Sequence, residues 1–306
     1  MVVLKKVSPI FIISYTRVII LGILVIVLTT WLFNRFVAFE EVTTLLPSIA
    51  VFGTVMSLFL AFKTNEAYNR WWEARTLWGS MVNYSRSFAR QVLNLLNLNT
   101  VETAKDQGEL TTIHKDLIYR HIAYINALLL SLRGQDNWEE LKPYLDENER
   151  LELVEHANVP TQLVQKQAQK LNHAFRDNSN DFRYMQIDST LNEFYNIQGG
   201  CERINTTVFP RIYSFLTTLF TWLFAFSLIF SLYDDLNWQI LATRVVVAYV
   251  FLTLEKISRS LKDPFENGIS DTPMTAICRT IEIDLREMLG EKDVPAPIKP
   301  IKGVLY

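Results

Sequence analysis

Residues able to do covalent chemistry or hold a metal are sparse and scattered in this chain. The four histidines, His114, His121, His156 and His173, lack metal-ligand spacing. Cys201 and Cys278 lie far apart and form no CxxC pair, so each is expected to be a small buried residue. No glycine-rich phosphate loop and no GxSxG elbow is present. No catalytic residue, no metal site and no cofactor is therefore expected. The spacing that does carry meaning belongs to residues with little reactivity. Thr54, Leu58 and Phe62 recur every four residues in an uncharged stretch and so share one helical face. Several copies placed on one axis would turn that face into a narrow apolar passage, which gates by dewetting. The same periodicity equally describes ordinary helix packing, with Gly53 and Ser57 allowing close approach. A second, smaller stripe, Ala50, Thr54, Ser57 and Ala61, also fits a tight packing face. Arg244 is the one charge deep in another apolar stretch, which makes it a functional candidate or a group with a polar partner.

The elements that would hold these residues are long helices. The chain has 306 residues, 49% hydrophobic, with ten glycines and ten prolines, a composition that disfavours an all-β fold. Thirty basic and 32 acidic residues leave a net charge of −2, so no basic excess points to nucleic acid. Four segments are apolar over the roughly 20 residues that a bilayer core requires: 18–37, 43–62, 212–233 and 236–254. Backbone groups in lipid must bond internally, so each is expected to be helical. Lys5, Lys6 and Arg17 precede the first segment as in a signal peptide. No small-residue cleavage site follows, so a retained helix is expected.

Loop charge sets the orientation. The loop 38–42 carries Glu40 and Glu41, and Asp234–Asp235 carries no cation. Lys63, Arg70, Arg75, Lys256, Arg259 and Lys262 flank the other ends. Both termini, a helical region 63–211 and a segment 255–306 are expected in the cytosol, with the protein in the inner (plasma) membrane. Thr64–Leu98 lacks proline and reads as an extension of the second span. Trp71, Trp72 and Trp78 suit the membrane interface, and Glu66 and Arg70 form an i,i+4 pair. A polar break over 99–109 precedes His114–Leu132, whose Ile118, Ile122, Ile125, Leu128 and Leu129 mark a buried helix face. A turn at 133–137 follows. Helices are expected at Pro143–His156, with Pro143 in the first turn, and at Thr161–Asn172, with Pro160 separating the two. A polar turn at 178–181, a helix Ile187–Ile197 and a helix Thr275–Leu289 complete the pattern. The Pro- and Lys-rich tail is expected to be mobile.

Several blocks in this order resemble the bestrophin family, including its bacterial branch, over about residues 15–290. The first is Phe59-Leu60-Ala61-Phe62-Lys63 running into Arg70-Trp71-Trp72-Glu73-Ala74-Arg75 and Leu77-Trp78-Gly79. The second is Leu191-Asn192-Glu193 with Gly199-Gly200-Cys201-Glu202-Arg203, then Pro210 and Tyr213. The third is Asp263-Pro264-Phe265. The resemblance implies one all-α unit over 1–306 that assembles in the membrane lipid as a homopentamer around one axial pore. It places a neck at Thr54, Leu58 and Phe62 and a cytosolic exit constriction at Phe182. Two departures stand out. Thr54 is small and polar where bulky apolar residues are usual, and Val208 stands where a proline is common.

The function this implies is a passive channel for monovalent ions. Eukaryotic relatives pass anions such as chloride, and bacterial relatives can pass cations. Lys63 would add positive charge at the inner neck and tilts the expectation toward anions. A secondary transporter would need inverted repeats and broken helices, which the sequence does not display. A membrane-anchored scaffold or sensor, with 63–211 as its interaction module, is the third reading. Calcium-responsive eukaryotic members carry consecutive acids after the Asn/Asp-Pro-Phe block. Here Glu266 and Asp271 are the only acids between Phe265 and Pro273, too few for a sensor-range calcium site.

Overall fold

The computed structural model describes residues 1, 9–36, 46–96, 104–175, 181–207, 210–231 and 238–306. Among these residues the chain is helical, with an isolated β-bridge between Ile301 and Val304. The helices are α1 (Pro9–Phe36), α2 (Leu46–Leu95), α3 (Ala104–Leu132), α4 (Glu147–Val154), α5 (Val159–Phe175), α6 (Asp181–Thr206), α7 (Arg211–Phe230), α8 (Trp238–Leu261) and α9 (Met274–Met288). They form two compact units. One comprises residues 4–71 and 208–263, the other 1–3, 72–207 and 264–306, and α2 supplies residues to both. The loops at 38–42 and 234–235, the lysines at 5 and 6 and Val208 lie outside the described residues.

The first unit packs α7 against α8, with α1 across both. Among the described residues three helices are long and apolar enough to cross a membrane: Pro9–Phe33, Ser48–Leu95 and Arg211–Phe230. The described part of the fourth segment expected to span, 238–254, falls in α8, which carries Arg244, Glu255, Lys256 and Arg259. Large apolar side chains face outward along α1, α7 and α8, among them Leu21, Leu24, Leu28, Phe215, Leu223, Val246 and Val250. A helix apolar on its outer face suits lipid rather than water. The helices approach closely where side chains are small. A Cβ on Gly53 would stand 3.0 Å from the Phe224 ring of α7.

The second unit has a continuous apolar core. α3 packs on α5, α6 and α9, and Trp78, Met81, Phe88 and Val92 of α2 join it. The five α3 residues expected to be buried are all in this core. Both cysteines are free and buried. Burial raises the Cys201 thiol to about 12, and it also pushes the Cys278 thiol up.

Several boundaries differ from the sequence reading. Pro143 does not open a helix. It lies in the turn between a 3-10 segment, Trp138–Leu141, and α4, which starts at Glu147. Pro160 sits inside the first turn of α5, where its missing N–H costs little. There Asn158 Oδ1 accepts the Thr161 N–H at 3.0 Å, a side-chain cap. α6 runs on through Gly199 and Gly200, because Gly200 serves packing: a Cβ there would meet Leu77 at 3.0 Å. The tail expected to be mobile is docked. Val304 is buried, and the Ala276 N–H donates to Tyr306 O at 2.8 Å.

Candidate functional site

The α2 face carrying Thr54, Leu58 and Phe62 is open. Leu58 is 58% and Phe62 60% exposed, and Thr54 is exposed with them. The opposite face of the same turns is closed, with Met56, Leu60, Lys63 and Ala67 all buried. One surface of α2 is therefore committed to its own unit and the other has no cover among the described residues. The Thr54 hydroxyl donates to Ala50 O at 3.0 Å, and Ser57 does the same to Gly53 O at 2.8 Å. Both hydroxyl protons are thus used within the helix, and the oxygen lone pairs remain. Ala50, Ser57 and Ala61 of the smaller stripe are exposed as well. A cavity of about 450 Å³ lies between α2, α7 and α8, and Gly53, Thr54, Ser57, Phe224 and Arg244 are among its lining residues. Phe182, in the first turn of α6, is 85% exposed.

Lys63 departs from expectation. Its side chain is 1% exposed, and its Nζ lies 3.2 Å from Glu255 Oε1 of α8. A second, longer contact reaches Ser214 O of α7 at 3.5 Å. The lysine therefore does not present a free charge beside Phe62. It is neutralised in the interior, because a buried cation is tolerated only when paired. Glu255, which the sequence reading passed over, is the hub. It also accepts from Thr218 of α7 and, at 2.8 Å, from Arg259. A single acid closing an apolar segment, followed at once by cations, was the available signal.

Arg244 has a local explanation. It donates to Leu228 O at 3.1 Å and to Ser231 Oγ at 2.6 Å, and so satisfies the end of α7. A cation is favourable where helix carbonyls lack partners.

The stretch after Asp263-Pro264-Phe265 is a packed turn. Asp271 is buried and accepts the Gly268 N–H at 2.8 Å. Burial raises its pKa above the ordinary carboxylate value. Asn267 adopts φ 67°, and its Oδ1 accepts from Arg133 at 2.7 Å. No cluster of three or more His, Cys, Asp or Glu side chains suited to a metal occurs among the described residues.

His121 and His114 are structural. His121 lies within the second unit, its ring 4.4 Å from that of Phe194. Ser85 donates its hydroxyl to Met81 O, so at 2.8 Å His121 Nε2–H is the donor to Ser85 Oγ. Nδ1 has no partner among the described residues, and burial holds the imidazole pKa down to about 3. His114 bonds to Leu96 O at 3.0 Å and is also lowered by burial.

Comparison with known proteins gives a consistent result. The model of the bacterial and fungal bestrophin proteins matches residues 2–287. The voltage-dependent anion channel-forming protein YneE of Escherichia coli K12 is 30% identical over 300 residues, 97% of this chain and 91% of its own. Its namesake in Salmonella typhimurium is 31% identical over 286 residues, 92% of this chain and 88% of its own. The crystal structure of a bacterial bestrophin homologue from Klebsiella pneumoniae superposes with a TM-score of 0.78 at 25% identity, covering 92% of this chain and all of that one.

Proposed function

The chain belongs to the bacterial and fungal bestrophin family, and from that premise we propose that it is one subunit of a pentameric membrane channel passing monovalent ions. Thr54, Leu58 and Phe62 line its neck, and Phe182 rings its cytosolic exit. The observation that carries this reading is the two-faced α2. Its inner face is fastened to α7 and α8, while an apolar, charge-free face is left uncovered among the described residues. Around a common axis that face makes a ring too dry for ions to enter freely, and ion passage then depends on wetting. The lone pairs of Thr54 add a polar point to the outer end of the neck. The relatives' names favour anions. With Lys63 neutralised by Glu255, that preference does not rest on a lysine at the neck.

Four helices cross the inner membrane in this reading, α8 being the fourth, and both termini lie in the cytosol. The cations Arg17, Lys63, Arg70, Lys256, Arg259 and Lys262 then gather at the cytosolic side, as the positive-inside rule requires. The test is purified protein in a planar bilayer under a potassium chloride gradient. Unitary current steps reversing near the chloride equilibrium potential support the proposal. Slow saturable flux without steps contradicts it and favours a transporter.

A further inference from the structure

We infer that the buried Lys63–Glu255 pair is the positioning device of the inner neck: it fixes the rotation of α2 and thereby aims Phe62 away from its own unit. The inference rests on the proposed neck and adds residues that lie outside the neck stripe.

Phe62 and Lys63 are consecutive on α2, about 100° apart around the helix. Phe62 is 60% exposed and Lys63 1% exposed, so the orientation of one determines that of the other. Much of the inner face of α2 in this unit is apolar or small: Gly53 on Phe224, then Met56, Leu60 and Ala67. In lipid, apolar contacts between helices have no hydrophobic driving force and resist rotation only by shape. A charge-assisted hydrogen bond has a direction. Two polar links fasten α2 within one turn of Phe62. The Tyr213 hydroxyl donates to Phe59 O at 3.3 Å, and Lys63 reaches Glu255 at 3.2 Å and Ser214 O at 3.5 Å. Thr218 and Arg259 hold the Glu255 carboxylate from α7 and from the next turn of α8. The three helices thus meet at one carboxylate, which α2 reaches through the residue next to Phe62.

Charge arithmetic separates positioning from a mere field effect. Lys63, Glu255 and Arg259 sum to +1. Lys63→Met gives 0, and Lys63→Met/Glu255→Gln returns to +1 without the bond. The experiment compares these variants with the parent and with Phe62→Ala in planar bilayers, reading unitary current and the permeability of thiocyanate relative to chloride. Positioning predicts that Lys63→Met and the double variant both shift the ratio by about twofold or more, the low end of coupling between residues in contact. It also predicts that neither adds its full shift to that of Phe62→Ala. Return of the double variant to parental behaviour overturns positioning in favour of a field. Full additivity with Phe62→Ala overturns it too, as does a parental ratio in Lys63→Met while Phe62→Ala shifts. A parental ratio in Phe62→Ala itself removes the neck reading and this inference together. If Lys63→Met does not assemble, Glu255→Asp keeps both charges but shortens the reach. A shifted ratio there supports positioning and a parental one overturns it.

Discussion

His121→Gln should flatten the acid sensitivity of the second unit. The parent imidazole is neutral in its aromatic cluster, with Nε2–H on Ser85 and Nδ1 facing no acceptor. Protonation would bury a cation and an unpartnered donor, so the folded pKa falls to about 3 from an ordinary 6.5. The sign follows from linkage: the unfolded chain binds this proton first, so stability is full above pH 6.5 and is lost as pH falls toward 3. Between neutral pH and pH 5 the loss is about 2 kcal/mol, from about 1.5 units at 1.36 kcal/mol each. For a unit of this size that is roughly 4–8 °C in Tm. Glutamine keeps a donor for Ser85 and does not titrate, though it forfeits ring contacts worth about 1 kcal/mol. The variant should therefore melt slightly lower at pH 7.5, cross the parent at about pH 6 and melt above it at pH 5, by about 1 kcal/mol. His114, also lowered by burial, remains in both proteins and cancels in the difference. The assay is tryptophan-fluorescence melting of detergent-solubilised protein at one scan rate from pH 7.5 to 5. Parallel curves for parent and variant would refute the assignment of the buried neutral imidazole.

The neck and the turn after Phe265 yield further expectations. Leu58→Ala and Phe62→Ala should assemble, because both side chains are more than half exposed, and should raise unitary conductance. Thr54→Ala removes little volume and should change it less, as single-channel recording will show. Phe182→Ala should raise the permeability of large ions relative to small ones, and equal ratios before and after would remove Phe182 from the ion path. Asp271 already accepts the Gly268 N–H, so raising free calcium on the cytosolic side from chelator to about 10 μM should not open the channel through this turn. Calcium-dependent opening abolished by Asp271→Ala would refute that.

What the sequence disclosed and what it hid have physical reasons. The run Thr64–Leu98 was readable as one helix because no proline interrupts it, and α2 does continue to Leu95. The buried face of α3 was readable because 3.6-residue periodicity is a local signal. The helix start near Pro143 was misplaced because proline suits a turn as well as a first helical turn. Asp146, extended just ahead of Glu147, was the better cue. The helix expected over Ile187–Ile197 runs from Asp181 to Thr206, and the space that a side chain would fill at Gly200 belongs to Leu77, a residue distant in the chain. Lys63 was misread for the same reason. Whether a lysine faces a pore or a carboxylate 192 residues away depends on how α2 and α8 pack, and no local pattern carries that. The docking of the tail on Ala276 is likewise a tertiary contact.

The claim that the exposed α2 stripe faces ions is tested most directly by thiol modification during recording. The native Cys201 and Cys278 are buried, and burial raises both thiols out of the reactive range, so the parent is a silent background. Leu58→Cys is compared with Leu24→Cys, which replaces a residue on the outer face of α1 that is 57% exposed. An anionic methanethiosulfonate should reduce the current of Leu58→Cys in steps and leave parent and Leu24→Cys unchanged. Labelling of Leu58→Cys, verified by mass, with no change in current would contradict the pore assignment.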